Sequence, residues 1–230
     1  MLSDRFAFED NLNNTGLLQS RSLVYNGIVD PVFSFEDSLD GSFDLGRCFR
    51  SRYDQTSHGF YITSPYGSSQ AEYTLSFWFK TIEDVVTSPV IARLHSSNEA
   101  TYYPIFIQRN EEDNSLLLTL QYYRAIPNQS GGWTVTPTPP NIQDIQVSSG
   151  INSCLANTWN LFVIRQKQIY DSLHGINYYK TEFYLNNVKF YEYIPSLYNY
   201  VYYGYTYYDY DKLIDNAFFS YSNILNSIID

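Results

Sequence analysis

Short runs of alternating apolar and polar residues recur along this chain and constrain its fold more than any other feature. In the clearest run, YTLSFWFK at residues 73–80, every second side chain from Tyr73 to Phe79 is apolar or aromatic. Successive side chains of a β-strand point to opposite faces, so this run predicts one face in the core and one facing solvent or a second layer. Similar runs cover residues 46–52, 59–63, 90–95, 102–109, 115–123, 159–166, 177–185, 188–193 and 213–220. Clusters of Gly, Pro, Asn, Asp and Ser separate these runs, which predicts an all-β chain.

Local signals also predict one tight turn and one short helical segment. The pair Asn186-Asn187 suits the positive φ angles of a two-residue hairpin turn, so residues 177–193 are expected to form a β-hairpin. In the tail, residues 222–229, the spacing of Ile224, Leu225 and Ile228 after Ser222 predicts a short C-terminal helical turn.

Two stretches interrupt the alternation, and we expect both to lie within one domain spanning residues 1–230. Residues 126–157 contain Gly131-Gly132 and the run TPTPP at residues 136–140, which predict a long loop because proline donates no ladder hydrogen bond. The second stretch, residues 198–211, holds eight tyrosines, whose period of two slips twice, as bulges or a turn near Gly204 would cause. They are Tyr198, Tyr200, Tyr202, Tyr203, Tyr205, Tyr207, Tyr208 and Tyr210.

The tyrosine-rich stretch has three interpretations. An exposed tyrosine presents flat apolar area with a polar hydroxyl, which suits a protein interface or the stacking of a sugar ring. Alternatively, the tyrosines fill the second face of a sandwich. We expect an interface, because each phenolic hydroxyl that is buried in a core without a partner costs about 1–3 kcal/mol.

Charge and cysteine content exclude several classes of partner. The net charge of −10 repels nucleic acid and anionic membranes, so neither is expected to bind. Residues 1–10 lack a basic region followed by an apolar stretch, so we expect synthesis in the cytoplasm without a signal peptide. Cys48 and Cys154 are expected to be two reduced thiols, and a disulfide between them is the alternative.

Four local patterns, taken in order, resemble the concanavalin A-like and laminin-G-like family of sandwich domains. They are the opening segment at 6–16, the strands at 45–50, 60–63 and 73–80, the Trp-led strand and hairpin at 157–164 and 182–188, and the closing segment at 213–228. The resemblance implies a two-sheet antiparallel β-sandwich of the jelly-roll type. It covers nearly the whole chain, with Asn187 at a position where the family usually has Gly.

Glycosidases of this fold class carry two carboxylates on one strand face with the spacing Glu-x-Asp-x-x-Glu, which this chain lacks. The clusters at residues 9–10, 36–37 and 111–113 are adjacent residues, which point to opposite faces or lie in turns. We therefore expect no enzymatic activity.

The resemblance also implies a structural Ca²⁺ that bridges the first and last strands, which would draw on Glu9, Asp10 and Asp215. The alternative is that Asp10 accepts backbone hydrogen bonds and Asp215 caps a turn.

The family includes lectins, glucanases, adhesion modules and virion proteins, and fold alone does not choose among them. A signal-less chain that consists of one jelly roll resembles a bacteriophage virion component, such as a capsid decoration, head-fibre, collar or tail protein. We therefore expect a structural protein in the mature virion, present in repeated copies or as a homo-oligomer with other virion subunits. The alternative is a carbohydrate-binding module that recognises host surface glycans.

Overall fold

The computed structural model describes residues 23–26, 34–37, 47–50, 59–62, 72–81, 90–96, 105–122, 126–127, 133–134, 143–211 and 223–226. Within these ranges every regular element is a β-strand, and every pair of neighbouring strands is antiparallel. A search of the same ranges finds no helix with the length and apolar character needed to cross a membrane. The described part of the chain is therefore all-β, as the alternating runs predict.

The strands, in chain order, are β1 (Leu23–Asn26), β2 (Ser34–Asp37), β3 (Arg47–Arg50), β4 (Gly59–Ile62), β5 (Tyr73–Phe79), β6 (Val90–Ser96), β7 (Ile105–Asn110), β8 (Ser115–Tyr122), β9 (Ile126–Pro127), β10 (Trp133–Thr134), β11 (Gln143–Ser148), β12 (Asn160–Asp171), β13 (Ile176–Leu185), β14 (Val188–Tyr193), β15 (Leu197–Tyr202), β16 (Tyr205–Tyr210) and β17 (Asn223–Asn226).

These strands form two larger sheets and three separate strand pairs. One sheet has seven strands in the order β1-β4-β17-β6-β7-β8-β11, and the other has four in the order β14-β13-β12-β5. The pairs β2 with β3, β9 with β10, and β15 with β16 form separate two-stranded sheets. The chain passes from one larger sheet to the other between β4 and β5, between β5 and β6, between β11 and β12, and between β14 and β17.

A single hydrophobic cluster contains residues from both larger sheets. The seven-stranded sheet contributes fully buried Ile91, Ile105, Ile107, Leu116, Leu118 and Leu120, and the four-stranded sheet contributes Phe79, Phe162, Ile164, Phe183, Leu185 and Tyr193. The rings of Tyr122 on β8 and Tyr193 on β14 lie 5.9 Å apart and join the two layers directly. The inner faces of two antiparallel sheets therefore share one core.

Strand β5 confirms the predicted distribution of side chains between its two faces. Phe79 is buried and Leu75 and Phe77 pack against the core, whereas Thr74, Ser76 and Trp78 are exposed. Phe77 lies 5.5 Å from Phe162, the central aromatic residue of β12. The predicted runs that fall within the described residues each overlap a strand.

The predicted hairpin at residues 177–193 is also confirmed. Leu185 pairs with Val188 across a two-residue turn in which Asn186 and Asn187 have φ angles of 50° and 67°. The Asn186 side chain fixes this turn to the neighbouring strand, because its Oδ1 accepts the backbone N–H of Leu161 at 2.8 Å.

Two further segments differ from the sequence-based expectation. The helical turn expected at residues 222–229 is not confirmed, since Asn223–Asn226 forms β17 and pairs with β4 and β6. The segment Gln143–Ser148, inside the stretch expected to be a loop, forms β11 and pairs with β8.

Cys154 is a free, fully buried thiol. Burial raises its pKa to about 12, although the charge of Arg109 partly offsets the effect. Arg109 Nε donates a hydrogen bond to the carbonyl oxygen of Cys154 at 3.1 Å, so this segment ties β7 to the loop before β12. The structure agrees with the expectation of a reduced thiol at this position.

Candidate functional site

The tyrosine-rich stretch forms a β-hairpin, residues 197–211, which we call the aromatic hairpin. Strands β15 and β16 pair in register from Leu197 with Tyr210 to Tyr202 with Tyr205. The two turn residues, Tyr203 and Gly204, both have positive φ, at 48° and 79°. The turn therefore lies at Gly204, as the change in tyrosine period suggested, and glycine relieves the backbone strain of one of its two positions.

Alternation separates the tyrosines onto two faces of the aromatic hairpin. One face, which we call the tyrosine face, carries five tyrosines together with Asp209, and these residues are Tyr198, Tyr200, Tyr202, Tyr205 and Tyr207. The opposite face, the anchor face, carries Tyr208 and Tyr210. Tyr203 lies at the turn.

Four of the eight tyrosine side chains are exposed, three are half-buried and Tyr198 is buried. The exposed fractions are 76% for Tyr203, 70% for Tyr205, 43% for Tyr207 and 42% for Tyr208. None of the eight tyrosines belongs to the hydrophobic cluster that the two larger sheets share.

Neighbouring rings contact one another along the tyrosine face. Tyr200 and Tyr207 are stacked, with centroids 5.6 Å apart and planes 15° apart. Tyr202 contacts Tyr207 at 6.4 Å and Tyr203 at 4.4 Å in edge-to-face arrangements. Cross-strand aromatic pairs of this kind stabilise a hairpin and hold its rings in fixed positions.

One carboxylate anchors the aromatic hairpin to the loop between β12 and β13. Asp171 Oδ2 lies 2.6 Å from His174 Nδ1 and accepts a hydrogen bond from the Tyr210 hydroxyl at 2.9 Å. Asp171 Oδ1 accepts the backbone N–H of Leu173 at 2.9 Å. The hydrogen bond from His174, aided by those from Tyr210 and Leu173, lowers the pKa of Asp171 to about 2.

Ring contacts complete this anchor. Tyr210 lies 4.6 Å from Tyr178 on β13, and Tyr208 lies 4.6 Å from His174. Burial, together with the hydrogen bond to Asp171, raises the pKa of Tyr210 to about 12. Tyr208 and Tyr210 on the anchor face therefore contact residues near the ends of β12 and β13, whereas Tyr203, Tyr205 and Tyr207 near the turn are exposed.

The structure places two carboxylates side by side on the four-stranded sheet, which the sequence pattern did not predict. Glu182 on β13 lies directly opposite Glu192 on β14, and Lys180 Nζ lies 3.5 Å from Glu182 Oε1 and 2.9 Å from Glu192 Oε2. Lys189 Nζ lies 2.9 Å from Glu192 Oε2. The two glutamates are ten positions apart in sequence, so only the register of the hairpin could have revealed them.

The electrostatics of this pair do not suit acid catalysis. Burial alone would raise the pKa of Glu182, but the Tyr184 hydroxyl and nearby lysines outweigh that effect and lower it. Hydrogen bonds from Lys189 and Lys180 lower the pKa of Glu192. A glycosidase needs one carboxyl group that is protonated near neutral pH, and both of these groups are held ionised.

The predicted calcium ligands, Glu9, Asp10 and Asp215, lie outside the described residues. Among the residues that the structure does describe, no group of three or more His, Cys, Asp or Glu side chains is arranged to hold a metal ion.

Comparisons with protein-family models, with curated proteins and with solved structures return no match. The aromatic hairpin and its anchor are therefore interpreted from their own chemistry.

Proposed function

We propose that this protein is a non-enzymatic structural protein of a bacteriophage virion, which assembles in repeated copies through its aromatic hairpin. The observation that carries the proposal is the exposure of Tyr203, Tyr205 and Tyr207 near the turn of a hairpin that Tyr210 anchors through Asp171. Tyrosine is enriched at protein interfaces, where its ring is buried and its hydroxyl stays at a wet rim. A virion setting rests on the resemblance of the sequence to sandwich domains found in such particles.

The fold proposed for this function is the concanavalin A-like jelly roll. The shared core of two antiparallel sheets and the chain's passage between them support it. Within the seven-stranded sheet, β17 near the end of the chain lies between β4 and β6, so early and late segments meet in one sheet. A jelly roll brings distant strands together in this manner.

The exposed area suits an assembly contact that is repeated many times. An aromatic side chain buries about 150–250 Å² on full burial, so Tyr203, Tyr205 and Tyr207 leave on the order of 400 Å² open. A standard protein interface buries about 800 Å² on each partner. The aromatic hairpin would supply about half of such a contact, and repeated copies would add avidity.

A carbohydrate-binding module is the second candidate, and the open rings of Tyr203 and Tyr205 at the hairpin tip favour it. A sugar stacks on a free ring face. Tyr200 and Tyr207 instead stack on each other, which leaves one face of each ring unavailable. We therefore place assembly before glycan binding.

The test is a triple substitution of Tyr203, Tyr205 and Tyr207 with Ser, followed by sedimentation velocity over a series of protein concentrations. We expect the unmodified protein to self-associate and the variant to remain monomeric with its circular dichroism spectrum unchanged. The matched control replaces three exposed apolar residues at the opposite end of the four-stranded sheet, Ile151, Leu155 and Val188, with Ser. That control should associate normally.

Two results would contradict the proposal. If the unmodified protein is monomeric at every concentration, assembly in repeated copies is wrong. If the tyrosine variant associates normally but loses binding to surface glycans in a glycan-array assay, the carbohydrate-binding candidate replaces it.

A further inference from the structure

The outward face of the four-stranded sheet carries more cationic than acidic side chains, although the chain as a whole is acidic. Phe162 and Ile164 of β12 point into the core, so Arg165 and Lys167 lie on the opposite face by alternation. Lys180 and Glu182 of β13 share this face, because Arg165 pairs with Glu182 and Lys167 with Lys180. The ion pairs place Lys189 and Glu192 of β14 beside them.

At the centre of this outward face, four cationic side chains surround two carboxylates. The cations are Arg165, Lys167, Lys180 and Lys189, and the carboxylates are Glu182 and Glu192. Cations therefore exceed carboxylates by two in a chain whose net charge is −10. We call this region the basic face.

Arg165 and Lys189 are the exposed cations of the basic face, and Lys189 is paired with Glu192. Among the described residues, the Arg165 side chain makes neither a hydrogen bond nor an ion pair. It lies opposite Thr74 on β5, where the exposed Thr74 and Ser76 are small. Trp78, which is 40% exposed, adds a flat apolar surface on the same strand.

The aromatic hairpin has the complementary chemistry. Residues 197–211 contain no Lys, Arg or His, and their two acidic residues are the half-buried Asp209 and the buried Asp211. The faces of tyrosine rings attract cations, and a planar guanidinium stacks on an aromatic ring. Tyr210 anchors the hairpin to the end of β12 and to β13, and the rings of Tyr203, Tyr205 and Tyr207 near its turn are exposed.

We propose that the aromatic hairpin of one copy docks on the basic face of a second copy, with Arg165 against the tyrosine face. This inference rests on the proposed function and names its partner surface. The basic face supplies the area that the hairpin lacks for a standard interface. Because the contact joins two different surfaces, repeated copies form a ring if the rotation closes and a filament if it does not.

The test uses two variants that should each be unable to associate alone. The face variant is Arg165→Glu, which reverses a charge that has no described partner and leaves the core untouched. The hairpin variant carries Ser at Tyr203, Tyr205 and Tyr207. We expect Arg165→Glu to weaken self-association about tenfold or more in sedimentation velocity, and Arg165→Lys to weaken it less, because lysine keeps the charge but lacks the planar guanidinium.

Mixing the two variants distinguishes this contact from a symmetric one. The face variant keeps an intact hairpin and the hairpin variant keeps an intact basic face, so one complete contact can form between them. We expect a 1:1 complex in the mixture and monomers in each separate sample. Equal melting temperatures of the face variant and the unmodified protein would show that the fold is retained, and Arg165→Gln serves as a second variant if they differ.

The outcomes separate the two proposals. If Arg165→Glu associates normally while the hairpin variant is monomeric, the basic face is not the partner and only this inference fails. If both variants are monomeric but their mixture contains no complex, the docking of hairpin on face is likewise overturned. If the unmodified protein does not associate, the proposed function fails with it.

Discussion

Alanine substitutions of a buried and an exposed aromatic residue should show how much the core and the aromatic hairpin each contribute to the free energy of unfolding. Phe162 is fully buried at the centre of the inner face of the four-stranded sheet. Its ring lies 5.5 Å from Phe77, 6.5 Å from Phe183 and 6.4 Å from Phe190. Tyr207 stacks on Tyr200 at 5.6 Å but is 43% exposed and lies outside the core cluster.

The two substitutions should differ several-fold in their effect on the free energy of unfolding. Phe162→Ala loses the transfer free energy of a buried ring and leaves a cavity between aromatic neighbours, which costs about 3–5 kcal/mol. Tyr207→Ala removes the ring contacts with Tyr200 and Tyr202 at a half-exposed position outside the core, which costs about 1 kcal/mol. For a domain of this length these values lower the melting temperature by about 6–20 °C and by less than about 4 °C.

Urea unfolding followed by circular dichroism measures both effects on one scale. We expect the midpoint of Phe162→Ala to fall by about 1–2 M and that of Tyr207→Ala to fall by a few tenths of a molar unit at most, with unchanged slopes. Equal losses for the two variants would refute the reasoning, because they would show that Tyr207 belongs to the core of the fold.

Three further predictions concern single residues. The Cys154 thiol should resist alkylation at pH 8 in the native protein and react only after unfolding, because it is fully buried with a pKa near 12; mass spectrometry measures the modified fraction. Asn187→Gly should stabilise the protein by up to about 1 kcal/mol in urea unfolding, since Asn187 has a φ of 67°, whereas Asn187→Val should destabilise it. The pKa of Asp171 is lowered from 3.8 to about 2, so its stabilisation of the anchor is complete above pH 4 and is lost as the pH falls towards 2. Asp171→Asn should remove this pH dependence, as measured by the Tyr210 ring signals in nuclear magnetic resonance spectra.

The sequence predicted the strands and tight turns well because these elements depend on residues that are adjacent in sequence. The two faces of β5 follow from its period of two, and the turn at Asn186 follows from the tolerance of asparagine for positive φ. For the aromatic hairpin, the sequence predicted the turn near Gly204. It did not predict which tyrosines share a face of the hairpin.

The rest depended on contacts between residues far apart in sequence. Asp171 is 39 positions from Tyr210, and no local pattern connects them. The sequence did not predict β11 because a proline-rich stretch directly precedes it. Proline removes a ladder hydrogen bond at its own position only, so the residues after it can still pair in a sheet. The helical turn predicted at residues 222–229 is not confirmed, since the described part of that segment, Asn223–Asn226, pairs with β4 and β6.

The single-carboxylate anchor also has a consequence for local opening of the native state. An isolated two-stranded hairpin is only marginally stable in water, so the order of β15 and β16 depends on Asp171 and on the few rings that pack beside it. Backbone amides of these strands should therefore exchange with deuterium faster than those of β12 and β13, whose pairing extends over ten residue pairs in a sheet with a buried face. A partner that covers the tyrosine face would slow that exchange, so self-association would be coupled to the ordering of the element that makes the contact.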